Sequence, residues 1–167
     1  HAKSLFCAAS RTEKITMKIN IYIATQRLDL VDDAGHVIRQ YGVSTAKNGV
    51  SEVRGSYCTP RGLHVIRAKI GAGCAANTVF VGRRATGEIY SPELGACFPD
   101  RDWILTRILW LSGCEVGFNR LGDNDTMRRY IYIHGTPDSV QLGQAGSHGC
   151  IRMRNSDLME LFDLVPA

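Results

Sequence analysis

The 167 residues, 44% hydrophobic and 22% charged, suffice for one ordinary globular domain with a real core and are too few for two. The net charge of +4 comes from scattered Lys and Arg in runs no longer than two, which argues against a nucleic-acid binder and equally suits an anionic glycopeptide partner. No stretch approaches the ~18 apolar residues of a membrane-spanning helix.

Residues 1–16 hold one short apolar patch, Leu5 to Ala9, below the ~7-residue core of an export signal. Met17 stands just before the first strand-like run, so 1–16 read as an N-terminal extension or cloning remnant and 17–167 as the folded domain. Taken as given, this N-terminus predicts a cytoplasmic protein; a removed leader would instead place it in the periplasm or cell envelope.

From Met17 the period is two, with Ile19, Ile21 and Ile23 alternating with Lys18, Asn20 and Tyr22, the pattern of a half-buried strand. Leu28–Val31, the turn Asp32-Asp33-Ala34-Gly35 and His36–Val43 predict a hairpin. A loop over Ser56–Gly62 leads into a strand over Leu63–Ile70. Between Gly71 and Asp102 the pattern breaks up around five glycines and two prolines, which predicts a long irregular flap over a substrate. Ile104–Leu111 and Tyr130–Ile133 read as strands, the second delivering His134 at its end, where a rigid sheet fixes the ring and leaves its tip accessible. The last element is a helix: Asn155 as N-cap, Asp157 at the positive end, an apolar face of Leu158, Met159, Leu161, Phe162 and Val165, and a stop at Pro166. The whole predicts a mostly β fold, a meander or sandwich, with a short C-terminal helix.

Six cysteines allow three disulfides on parity, but a domain of this size does not need them, and most are expected reduced and semi-buried. His134, His148 and Cys150 are also plausible zinc ligands, yet no Cys-x-x-Cys pair exists and His-x-Cys alone is a weak signal, so no metal or organic cofactor is expected.

The residues richest in chemistry are Ile133-His134-Gly135-Thr136-Pro137 and Ser147-His148-Gly149-Cys150-Ile151-Arg152-Met153. A cysteine reacts as its thiolate, and His134, His148 and Arg152 offer a base and an electropositive setting for Cys150. The main-chain carbonyl of Gly135 is placed to accept from one His134 nitrogen and fix the tautomer. Gly149 allows close backbone approach, so the amides of Gly149 and Cys150 are candidate oxyanion donors. His148 either raises the local potential or holds the loop. Arg152 either binds a substrate carboxylate through its planar fork or braces the loop. Ser147 and Thr136 read as loop-bracing hydroxyls beside the substrate.

The His-Gly-Thr run followed by Ser-His-Gly-Cys-Ile-Arg-Met closely resembles the catalytic signature of the L,D-transpeptidase (YkuD-type) family, and Thr59-Pro60-Arg61-Gly62 before a strand is a second match. The resemblance spans about Met17 to Val165. It implies the family's catalytic fold, with Cys150 as nucleophile and His134 as general base. It also implies a further strand after the last helix, whereas this sequence ends at Ala167. The implied substrate is the tetrapeptide stem of peptidoglycan, as polymer or as muropeptide. Cys150 would attack the carbonyl of the diamino acid, expel the terminal D-alanine and form a thioester. An amine acceptor would then give a 3-3 cross-link, and water would give L,D-carboxypeptidase activity. The absence of a recognisable leader or wall-binding repeat, with one segment to build a lid, tilts the expectation toward hydrolysis. A non-catalytic peptidoglycan-binding module is the alternative, against which the intact Cys-His pair argues.

Overall fold

The computed structural model describes residues 16–167, so the expectation for 1–16 lies, Thr16 apart, outside the described residues. Strand β1 (Lys18–Tyr22) half-buries alternate residues, Ile19 and Ile21, and pairs with β2 (Arg27–Val31), which is buried almost throughout. The turn into β3 (Val37–Ser44) is closed by Asp32, whose Oδ1 accepts from the amides of Ala34 and His36, while Gly35 takes φ +84°. This is the Asx-type turn chemistry that the Asp and Gly of the sequence encode. It pairs Leu28 with Tyr41 and Leu30 with Arg39.

Beyond β3 the sheet continues through elements distant in sequence. Besides β4 (His64–Ile70), β5 (Thr78–Val81) and β6 (Arg84–Ile89), they are β7 (Ile104–Gly113), β8 (Tyr132–Gly135) and β9 (Ile151–Met153), in the order β1-β2-β3-β9-β8-β7-β5-β6 with β4 alongside β7. Every pairing is antiparallel except β8 with β9. That parallel pair sets Ile133 opposite Ile151 and His134 opposite Arg152. It therefore sets the start of β9, which Cys150 immediately precedes, beside the start of β8, and His134 one residue further along, in the middle of the sheet. Helix α2 (Asn155–Leu164) closes the core, burying Leu158, Leu161 and Phe162 with Leu109, Ile133, Ile151 and Met153. At its C-terminus Lys69 donates to the carbonyls of Phe162 and Val165, which complements the negative helix end.

The Gly71–Asp102 segment is not irregular. It carries the β5–β6 hairpin and a short helix α1 (Pro92–Cys97), and β5 joins the sheet through Val79 opposite Leu105. The glycines that break the sequence pattern serve this order: Gly82 turns the hairpin at φ +55° and Gly87 bends β6 at φ +89°. Ser91 caps α1 through the Leu94 amide. A small core of Val79, Trp103 and Leu105, with Tyr90 and Leu94, ties the segment down. The five described cysteines are free thiols, Cys58 buried but Cys97 and Cys114 exposed rather than semi-buried. Among the described residues no helix is long and apolar enough to cross a membrane.

Candidate active site

His134 sits at the end of β8 with 1% of its surface exposed. Its Nδ1 lies 2.7 Å from the Gly135 carbonyl, which can only accept, so Nδ1 carries the proton and Nε2 is left as the basic nitrogen. Burial pulls the imidazole pKa below the usual histidine value, outweighing the carbonyl and Asp102, which favour the charged form. The ring is therefore neutral and basic at neutral pH.

A polar network beneath this strand end fixes its position. Opposite Gly135, β7 carries a bulge at Thr106, which is fully buried and held at φ +75°. The Thr106 hydroxyl donates to Asn155 Oδ1 at 2.7 Å and accepts from the Asn77 amide. Asn155 Nδ2 in turn donates to the Thr136 carbonyl and to Asn77 Oδ1. Asn155 thus does not cap α2, as its sequence position predicts; it is the first helical residue, and its side chain points inward to long-range partners. Those partners satisfy it better than a solvent-exposed helix end would, because a buried amide without partners is costly. Gly135 is required here: a Cβ would overlap Asn155 Oδ1 and stand 2.6 Å from the Leu105 carbonyl. Thr136 is buried and enters the network through its carbonyl.

Cys150 lies just before β9, beside the start of β8. Its Sγ receives the Tyr132 amide at 3.3 Å and faces the Tyr130 carbonyl at 3.4 Å. The loop before it is braced locally. The Ser147 hydroxyl donates to the Cys150 carbonyl and accepts from the Gly149 amide, so that amide is engaged within the turn rather than free for a substrate oxygen. Gly149 holds φ +135°, and a Cβ there would meet Ile131 and the Cys58 carbonyl. Its own carbonyl accepts from Thr59 Oγ1 at 2.9 Å, which explains why the Thr-Pro-x-Gly stretch belongs with the cysteine motif. Arg129 staples the same region from the other side, donating to the carbonyls of Ser51 and Cys58.

The electropositive setting expected around the thiol is outweighed. Burial pushes the Cys150 thiol up to about 12, although the Tyr132 amide, Arg152 and Arg129 pull it down. Arg152 is also partly neutralised: it donates to Asp102 Oδ1 at 3.0 Å and to the Gly146 carbonyl of the loop. His148 is two-thirds exposed, 3.8 Å from the other Asp102 oxygen and edge-on to Tyr57. Asp102, the last residue of the Gly71–Asp102 segment, carries no signal in the sequence beyond its place there. Two cavities flank this point, of about 500 and 550 Å³, and His148 lines both. Among the described residues no three His, Cys, Asp or Glu side chains are grouped to hold a metal ion.

The family model of the L,D-transpeptidase catalytic domain, YkuD, matches residues 16–167. The chain belongs to this family. Proteins named YkuD from Bacillus subtilis and Bacillus licheniformis are each 46% identical to it over 39 residues, 23% of this chain and 24% of each relative. Aligned with solved structures, the chain spans about half of each. An L,D-transpeptidase from Mycobacterium smegmatis is 20% identical over 92% of this chain and 56% of its own, with a TM-score of 0.47. An L,D-transpeptidase from Xylanimonas cellulosilytica is 19% identical over 89% and 54%, with a TM-score of 0.49. The L,D-transpeptidase LdtMt1, solved with imipenem, is 17% identical over 90% and 55%, also at 0.49.

Proposed function

We propose that this L,D-transpeptidase domain is a cysteine acyl-transferase on peptidoglycan stem peptides, with Cys150 as nucleophile and His134 as general base. The observation that carries the reading is the fixed tautomer of a buried, neutral His134 on the strand that pairs in parallel with the cysteine strand. A thiol pushed up to about 12 is protonated at rest, so its proton leaves during attack on the substrate carbonyl and not before. His134 Nε2 takes that proton and returns it to the departing D-alanine amine. The thioester that remains is opened by an acceptor, and His134 removes the acceptor's proton in the second half.

An amine is the acceptor the geometry favours. Cross-linking needs a second groove for the acceptor stem, whereas hydrolysis does not, and two cavities of comparable size meet at His148. The ordered β5–β6–α1 segment walls one of them through Tyr90, Pro92 and Asp102.

The test supplies a disaccharide tetrapeptide alone, then with a second stem or excess D-amino acid, and reads product masses. A 3-3 dimer or an exchanged D-residue supports the amine; tripeptide alone in every case assigns water instead. No turnover with intact binding returns the chain to a peptidoglycan-binding module. Incubation with a carbapenem, followed by peptide mapping, is expected to place the adduct on Cys150; an adduct elsewhere moves the nucleophile.

A further inference from the structure

The two cavities differ in charge. In the larger one the guanidinium groups are already engaged, Arg101 by Glu88 and Arg152 by Asp102, and Asp100 adds an exposed carboxylate. In the smaller one Arg129 is spent on the carbonyls of Ser51 and Cys58, but Arg54 and Arg128 are exposed and form no ion pair within 4 Å among the described residues, Arg128 feeling the Asp125 carboxylate only at longer range. Their main chains are anchored, Arg54 N on the Asp123 carbonyl and Arg128 N on Asp125 Oδ1, so both charges stand on fixed walls.

The rim of this cavity shows further signs of a built site. Tyr57 and Tyr130 are exposed and both take left-handed backbone conformations, φ +55° and +57°, a strained state for bulky side chains that surrounding structure must impose. Tyr130 offers its carbonyl to the Cys150 thiol, and Ile131 touches the space beside Gly149, so the cavity and the nucleophile share a wall in the segment that leads into β8.

We infer that the Arg54–Arg128 cavity is a carboxylate-recognition site that binds an anionic stem peptide alongside Cys150, with Tyr57 and Tyr130 framing it. Arginine presents a planar donor fork that matches a carboxylate, and two exposed guanidiniums whose forks hold no close ion pair, beside an aromatic rim, favour a peptide carboxylate over a neutral chain. This rests on the acyl-transfer reading for its substrate class. The carboxylate has two sources on one peptide, the terminal group and the side-chain groups.

The experiment separates the sources, and separates this inference from the activity. Binding of a synthetic stem tetrapeptide to Cys150→Ala is measured by calorimetry with all carboxylates free, with only the terminal one amidated, and with only the side-chain ones amidated. The same three peptides are titrated into Cys150→Ala carrying Arg54→Gln and Arg128→Gln, and into Cys150→Ala carrying Arg67→Gln as a charge control on an exposed face of β4. The free peptide is expected to bind the arginine double variant about tenfold more weakly, one amidated form is expected to bind both proteins alike, and Arg67→Gln is expected to change nothing. That amidated form identifies the recognised group. Equal affinity of the free peptide for both proteins overturns the inference, as does equal loss in all three peptides or no binding of any of them. Discriminating binding by a protein whose intact thiol never forms a thioester with the stem would instead sink the acyl-transfer reading and leave the cavity assigned.

Discussion

The two histidines of the signature lie in opposite surroundings. His134 is buried, locked to a carbonyl and underpinned by Thr106, Asn77 and Asn155; His148 is exposed and touches Asp102 only at 3.8 Å. The floor of the site is over-determined by hydrogen bonds reaching across the sheet, whereas its rim is built of side chains free to meet a ligand. Sequence spacing gives the two residues equal weight; burial does not.

The sharpest way to break this comparison is at the Cys150 thiol. Cys150→Ala is expected to abolish turnover while leaving the fold intact, with exposed Cys114→Ala retaining full activity as the control. Product formation by the Cys150 variant would remove the mechanism. Next comes the floor. Gly135→Ala is expected to cost on the order of 1–3 kcal/mol or more in urea unfolding, because the added methyl overlaps Asn155 and the Leu105 carbonyl. Asn155→Ala is expected to cost about 1–3 kcal/mol and to lower kcat more than it raises KM, since Thr106 and the Thr136 carbonyl lose their partner.

A pH profile sharpens the same contrast. The base is active when neutral, so activity is lost as pH falls through the depressed pKa of His134, and the acid limb is expected below the ordinary histidine value of 6.5. A limb centred above 6.5 would mean that burial does not govern the ring. On the rim, Asp102→Asn is expected to change stability by about 1 kcal/mol, since the pair's carboxylate is exposed although its guanidinium is largely covered. Because Asp102 holds the thiol pKa up, the same change is expected to speed alkylation by iodoacetamide; an unchanged rate would show that Arg152 does not gain influence when its partner is removed. The smallest effect is expected from His148→Gln, within a few-fold in kcat.

What the sequence reveals follows the range of the interactions. The β2–β3 hairpin is legible because Asp32 and Gly35 make their bonds within four residues. His134 at a strand end is legible because the apolar run stops there. The role of Asn155 is not, since Thr106 lies 49 residues away, and a residue that favours helix starts was bound to look like a cap. The order in Gly71–Asp102 is hidden for the same reason: its anchors, Leu105 and Trp103, lie beyond its own end. Arg129 and Asp102 show nothing in sequence because their work is done on carbonyls and on charges brought close only by folding.

The raised pKa of the Cys150 thiol has a bearing on its oxidation. Peroxide and other oxidants attack sulfur chiefly as the anion, and a thiol titrating near 12 offers almost none at neutral pH. Burial thereby guards the resting Cys150 sulfur against sulfenic and sulfinic oxidation until a substrate draws the proton away, a protection that the exposed thiols of Cys97 and Cys114 do not share.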